Sequence, residues 1–184
     1  GTNLFYYTFR EAGMSHVYSF SLFSLLIFAS HKRENSNHFL WTVATAIPLA
    51  IFPYSSTSHI VHWLTRQNGK ISTIIKGATR PKNRFLGEYE LFSTTELLFF
   101  ALPNKTLFTT KECSMLQRRP GFRSNWRAMQ AASYITALFS KTTPEDAPHP
   151  ELFALYEELL DFAEIYGEAQ PFIPWAELRF SEAH

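Results

Sequence analysis

The pair Asn68-Gly69 constrains this chain more than any other feature. Asn-Gly accepts positive φ at both central positions of a type I′ turn. It stands between two runs, residues 60–66 and 71–75, that are rich in β-branched and aromatic side chains. The combination predicts a β-hairpin. Beyond Gly77 the apolar residues stop, and Arg80, Lys82 and Arg84 arrive at every second position, with Pro81 stiffening the segment. Alternating cations on a loop beside a sheet suit a chain of phosphates better than a small substrate. On those three charges alone, a solvated surface loop is the simpler account.

The neighbouring sequence extends the hairpin into a barrel. Residues 42–52 read as a first strand, in which Pro48 removes a ladder donor and points to an edge or a bulge. Pro53-Tyr54-Ser55-Ser56 reads as a turn. The hairpin strands follow at 59–66 and 70–76. A long fourth strand is expected at 89–101, a break at Leu102-Pro103-Asn104-Lys105, and a short fifth strand at 106–111. Five strands with short polar connections in about seventy residues suit a small closed barrel that leaves no free edge. The oligonucleotide-binding (OB) barrel is the common five-stranded solution.

After Arg118-Arg119-Pro120-Gly121 the apolar period changes from strand-like to helical. Ser124 is placed to cap a helix whose apolar face is Ala128, Ala131, Ala132, Ile135, Leu138 and Phe139. Residues 142–148 read as a loop, and Pro150 sits where a first helical turn tolerates it. Leu152, Tyr156, Leu159, Leu160 and Ala163 form a second face, and Gly167 is a natural C′ stop. Glu151, Glu157, Glu158, Asp161 and Glu164 lie on or near the outer face of that helix and read as solvated. Pro174 opens a third helix, and a new apolar pattern (Trp175, Leu178) has barely begun where the sequence ends, as in an interrupted domain. The expected fold class is therefore β + α. An N-terminal five-stranded OB-like β-barrel (41–117) precedes a small, incomplete α-helical domain (118–184).

Residues 1–40 read as a poorly ordered leader. The stretch 17–29 is mostly apolar but falls short of the roughly 20 residues a spanning helix needs. It lacks the basic flank and the small-x-small site of a secretion signal. No membrane contact is expected from it. The polar run 31–37 reads as a linker.

The formal net charge of +1 conceals a dipolar molecule. Residues 63–127 hold twelve Lys/Arg against four Asp/Glu, a surplus of eight cations, whereas residues 128–184 hold two against ten, a surplus of eight anions. A basic half joined to an acidic half suggests a polyanion-binding module coupled to something with a different task. The single cysteine, Cys113, excludes an internal disulfide and a multi-cysteine zinc site within this chain, and fits a reducing compartment.

Catalysis finds little support. His59 and His62 are three apart, so on a strand they point to opposite faces and share no metal. No Gly-rich phosphate loop, nucleophile elbow or His-Glu-x-x-His occurs. The chain reads as a non-enzyme without metal or cofactor. Nucleic-acid binding has more behind it. Lys70 and Lys76 lie on or beside a predicted strand close to the Arg80-Lys82-Arg84 loop, and a second cluster, Arg118, Arg119, Arg123 and Arg127, falls where barrel meets helices. A basic groove with aromatic platforms holds single strands without sequence preference. Of the interleaved aromatics Trp63, Phe85 and Tyr89, Trp63 reads as barrel core and Phe85 as the better stacking candidate.

The run from Ser55 to Leu97, SxxSHIVxWLTRxNGKISxxxKGAxRPKxRFxGxYELFSxxEL, resembles the amino-terminal OB domain of the RecO family of bacterial recombination mediators. The helical part is similar to the same family in Ala131-Ala132-Ser133-Tyr134, Pro150-Glu151-Leu152-Phe153 and Trp175-Ala176-Glu177-Leu178-Arg179. The likeness covers roughly residues 44–180. It implies a cytoplasmic, nucleoid-associated protein of the RecFOR pathway that binds single- and double-stranded DNA, anneals complementary strands and helps load RecA on DNA coated by single-strand-binding protein (SSB). RecR and the acidic-hydrophobic C-terminal tail of SSB are the implied partners. Lys70, Lys76, Arg80, Lys82 and Arg84 would contact DNA from the barrel, and Arg123 and Arg127 would meet DNA or the SSB tail. Phe85 and Arg119 complete the candidate DNA-binding set. Two departures are evident: the family continues through a long helix and often a four-cysteine zinc element, neither of which follows here, and residues 1–40 have no counterpart. The alternative is a non-catalytic protein-interaction or membrane-tethered OB module.

Overall fold

The structure, a computed structural model, describes residues 40–101, 105–145, 147–169 and 171–183. The expected leader therefore falls, but for Leu40, outside the described residues. Five strands, β1 (Leu40–Pro53), β2 (His59–Thr65), β3 (Gly69–Ile75), β4 (Thr94–Ala101) and β5 (Leu107–Gln117), close into a barrel in the order β1-β2-β3-β5-β4. Every neighbouring pair is antiparallel except β3 and β5, which meet in parallel only at Ser72–Ile74 against Leu107–Thr109. Strand β1 serves both neighbours. Its first half pairs β4 and its second half pairs β2, with Ala46 facing both, and a register shift between Pro48 and Ala50 interrupts the pairing with β2. Pro48 thus marks the bulge that its missing N–H suggests.

The hairpin forms with a different turn. Gly69 has φ +67, but Asn68 is not in the left-handed region, so the loop is three residues, 66–68, closed by a glycine in place of a type I′ pair. The Thr65 hydroxyl organises it, donating to the Gly69 carbonyl at 2.7 Å and accepting from the Asn68 N–H at 3.0 Å. Gly69 is needed twice, because a Cβ there would also collide with the Ala147 carbonyl of the helical part.

Two strand boundaries differ from expectation. Strand β4 begins at Thr94. The preceding residues turn because the Ser93 hydroxyl accepts from the Glu90 N–H and donates to the Glu90 carbonyl, with Phe92 at φ +69. Strand β5 runs on to Gln117, well past the expected end at 111, since it pairs β4 along nearly all its length. Inside the barrel, Trp63 is fully buried among Val61, Ile71, Ile75, Leu97 and Phe99. Its indole N–H donates to the Thr73 hydroxyl at 2.8 Å, which in turn bonds Thr110 at 2.8 Å, so these three buried polar groups satisfy one another.

Among the described residues four helices follow: α1 (Gly121–Ser124), α2 (Trp126–Thr142), α3 (Pro150–Tyr166) and α4 (Phe172–Ala183). Asn125, one residue beyond the expected Ser124, caps α2 by accepting from the N–H groups of Arg127 and Ala128. The α2 and α3 faces read from the sequence are buried, with Leu138 partly so. Outward-facing Ile47, Leu49 and Leu64 of the barrel complete the same apolar core. Gly167 is the C-cap of α3 in the right-handed region, not a left-handed stop. Its role is steric: a Cβ would meet the Ala163 carbonyl at 2.5 Å and Ala128 Cα at 2.9 Å. In α4 the buried residues are Phe172, Ala176 and Phe180, whereas Leu178 of the expected pattern is exposed. No helix among the described residues is long and apolar enough to cross a membrane.

The junction of barrel and helices corrects two expectations. Arg119, counted above among the DNA-contacting cations, has no exposed side-chain surface. Its guanidinium bonds Asp161 at 2.6 Å, the Phe92 carbonyl at 2.6 Å and the Thr94 hydroxyl at 3.3 Å. It is a clamp. Nor are the α3 carboxylates simply solvated. Glu157 accepts from Thr94 at 3.0 Å, Asp161 also accepts from Gln117, and Glu164 accepts from the Gly121 N–H at 2.7 Å. One edge of the acidic helix therefore docks on the start of β4, the end of β5 and the start of α1.

Removing Asp161 strands a buried cation, whereas removing Arg119 leaves a carboxylate that is 45% exposed and can take up water. Asp161→Ala should therefore cost about 3 kcal/mol, the low end for a broken buried pair, and more than Arg119→Met. Urea titrations of both variants check this, and the reverse order would contradict it. Gly167→Ala should cost at least about 1 kcal/mol by forcing α2 and α3 apart, read as a lower urea midpoint at an unchanged slope.

Candidate nucleic-acid interface

The connection between β3 and β4, residues 76–93, carries the cations. It is built of successive turns, so the alternation of Arg80, Lys82 and Arg84 does not describe one face of an extended segment. Gly77 at φ +74 turns the chain out of β3, and the Arg80 N–H bonds the Gly77 carbonyl at 3.1 Å. Arg80-Pro81-Lys82-Asn83 is then a tight turn with Pro81 at its second position, Lys82 at φ +60 at its third, and the Asn83 N–H on the Arg80 carbonyl at 3.2 Å. Asn83 holds both sides, donating to the Ala78 and Arg80 carbonyls and accepting from the Phe85 N–H at 2.7 Å. Thr79 ties the loop to the turn after β1 through the Ser56 and Thr57 carbonyls.

Phe85 is the anchor of this loop and not a platform. It is 5% exposed and packs with Ala78 into the barrel core. The Arg84 guanidinium lies 5.0 Å from its ring centre. An aromatic ring with so little free surface offers a base nothing to stack on, which corrects the expectation for Phe85. Its burial does useful work of another kind, because it pins a loop whose cations point away. Lys76, Arg80, Lys82 and Arg84 are all exposed, and among the described residues none of them has a carboxylate partner.

The remaining candidates divide. Lys70 is largely buried: its ammonium donates to the Ser140 carbonyl at 3.1 Å and lies 3.6 Å from Glu145, joining β3 to the end of α2. That assignment is corrected in the same way as Arg119, since both cations hold the helices to the barrel. Arg123 is exposed and bonds one Glu90 oxygen at 2.5 Å, while Arg118 meets the other at 3.0 Å. Arg127 is exposed on the first turn of α2, its guanidinium 5.7 Å from the ring centre of Trp126. Trp126 itself is 63% exposed and went unnoticed in the sequence. Its signal was there: it lies two positions before Ala128, off the buried spacing of α2.

Among the described residues no three His, Cys, Asp or Glu side chains gather as a metal site would require. His59 faces Tyr89 at 2.8 Å and His62 packs on Phe52, in keeping with opposite faces of β2. Burial, with a smaller push from Glu88, raises the Cys113 thiol to about 12, so it is protonated and inert as a nucleophile at neutral pH. Burial likewise raises the Tyr89 phenol to about 12.

With this geometry in place, comparison with known proteins is direct. The family model described as recombination protein O N terminal matches residues 41–119, and that described as recombination protein O C terminal matches residues 123–182. Curated relatives called DNA repair protein RecO include one from Salinibacter ruber, 32% identical over 60% of this chain and 42% of its own length. Another, from Rhodopirellula baltica, is 34% identical over 59% of this chain and 40% of its own length. A third, from Geobacter metallireducens, is 31% identical over 78% of this chain and 56% of its own length. The chain thus spans about half the length of the curated relatives it matches. With both family models aligned in order on barrel and helices, the chain belongs to the RecO family.

Proposed function

We propose that the chain binds DNA, single- and double-stranded, through the exposed cations of the 76–93 loop, and acts by binding and not by turnover. The observation that carries this is the state of Lys76, Arg80, Lys82 and Arg84, four exposed cations without carboxylate partners among the described residues, on a loop tied together by Asn83 and Phe85. Unpaired cations at fixed positions release counterions when a phosphate chain replaces solvent, and rigidity lowers the ordering cost of doing so. Arg123 and Arg127 extend the positive surface onto the helical part, while Lys70, Phe85 and Arg119 serve the fold. Family membership supports carrying this binding into DNA repair and recombination, in which a bound strand is annealed to its complement and RecA is loaded on SSB-coated DNA in the RecFOR pathway. RecR and the C-terminal tail of SSB are the partners such a role calls for, and the bacterial nucleoid is where it would be exercised.

The test is anisotropy of a labelled oligonucleotide titrated with the chain at several salt concentrations. Affinity should fall steeply with salt. Changing Arg80, Lys82 and Arg84 together to Ala should lower the log–log salt slope for single strands by about 2, three phosphate contacts at roughly 0.7 each. Binding should weaken across all sequences alike. A slope and affinity unchanged in that variant would exclude this loop as the DNA site.

A further inference from the structure

Beside the basic loop lies a cleft of about 470 Å³, between the end of that loop and the start of the helices. Its size falls within the range of small-ligand sites, and its lining is mainly apolar. Phe92 and Phe122 meet edge to face at 5.2 Å in its floor. Leu86, Leu91 and Met129 stand exposed around its mouth. Arg118 and Arg123 also line it, and both are held by Glu90. Apolar walls under a cationic rim accept a flat apolar group attached to an anion.

We propose that this cleft holds one unstacked base of a bound single strand, with Arg118 and Arg123 at the flanking phosphates; the proposal rests on the DNA-binding reading above. Continuity favours it. Arg84 is followed directly by Phe85, Leu86 and Gly87, all of which line the cleft, so a strand tracking the loop cations arrives at its mouth. The charge fits as well. Glu90 neutralises one of the two rim arginines, and Arg119 at the back is already paired with Asp161. One uncompensated cation suits a phosphodiester better than a run of carboxylates, which favours a nucleotide over an acidic peptide. A base already paired in a duplex is not free to enter. The cleft therefore confers preference for single strands, whereas the loop cations bind either form.

The experiment uses the full chain, a single-stranded oligonucleotide carrying one 2-aminopurine, and the matching duplex. Binding of the unaltered chain should raise 2-aminopurine emission, because the base leaves its stack. Leu91→Trp should fill the cleft and lower single-strand affinity by about tenfold, the worth of roughly one stacked base, with duplex affinity unchanged. Met129→Trp fills the same space from α2 and guards against a misfolded Leu91 variant. Unchanged single-strand affinity in both variants would overturn the proposal while leaving the loop site intact, as would an equal loss for duplex. Loss of binding to an acidic peptide with an aromatic terminus, without loss for the oligonucleotide, would assign the cleft to a protein partner and overturn it too. Absence of any DNA binding by the unaltered chain would remove the DNA-binding reading and this inference together.

Discussion

A guanidinium shut away from water has to find its partners inside the protein, and that of Arg119 finds them on both sides of the junction between barrel and helices. It takes the carbonyl of Phe92 and the hydroxyl of Thr94 from the barrel, and the carboxylate of Asp161 from α3. These bonds fix where the helices sit. Lys70 repeats the device at the C-terminal end of α2, through Ser140 and Glu145. Two cations of the basic middle region are thus spent on assembly, and two anions of the acidic tail answer them. The charge dipole read from the sequence is in part an internal adhesive.

Of the ten cations that remain in residues 63–127, four, Lys76, Arg80, Lys82 and Arg84, stand exposed on one loop with support of its own. This loop drives Phe85 and Ala78 into the barrel interior and ties its turns together through Asn83. Backbone in the left-handed region at Gly77 and Lys82 is the cost of that compact path, and at Lys82 it is borne by a residue with a Cβ. A loop fixed in this way presents its cations at constant positions, which a polyanion can meet without first ordering them.

The barrel was largely legible, because period-two runs, a glycine turn and Pro48 each speak locally. The helical faces were legible for the same reason. Misreadings came where a side chain's fate depends on a partner far along the chain. Arg119 and Asp161 are 42 residues apart, and nothing near either announces the other. Phe85 sits among cations in sequence and among Trp63, Leu97 and Phe99 in space. Ser93 bonding back to Glu90 shortened a strand that propensity alone would extend. The candidate site was therefore half visible: its charges could be counted, but their sorting into buried clamps and exposed contacts needed the fold.

That sorting is the central claim, and lysine acetylation in the presence and absence of a single-stranded oligonucleotide tests it residue by residue. Lys76 and Lys82 should react rapidly in the free chain and be protected by the strand, while Lys70 should react slowly in both states. Protection of Lys70, or unchanged reactivity of Lys76 and Lys82 under saturating oligonucleotide, would contradict the account.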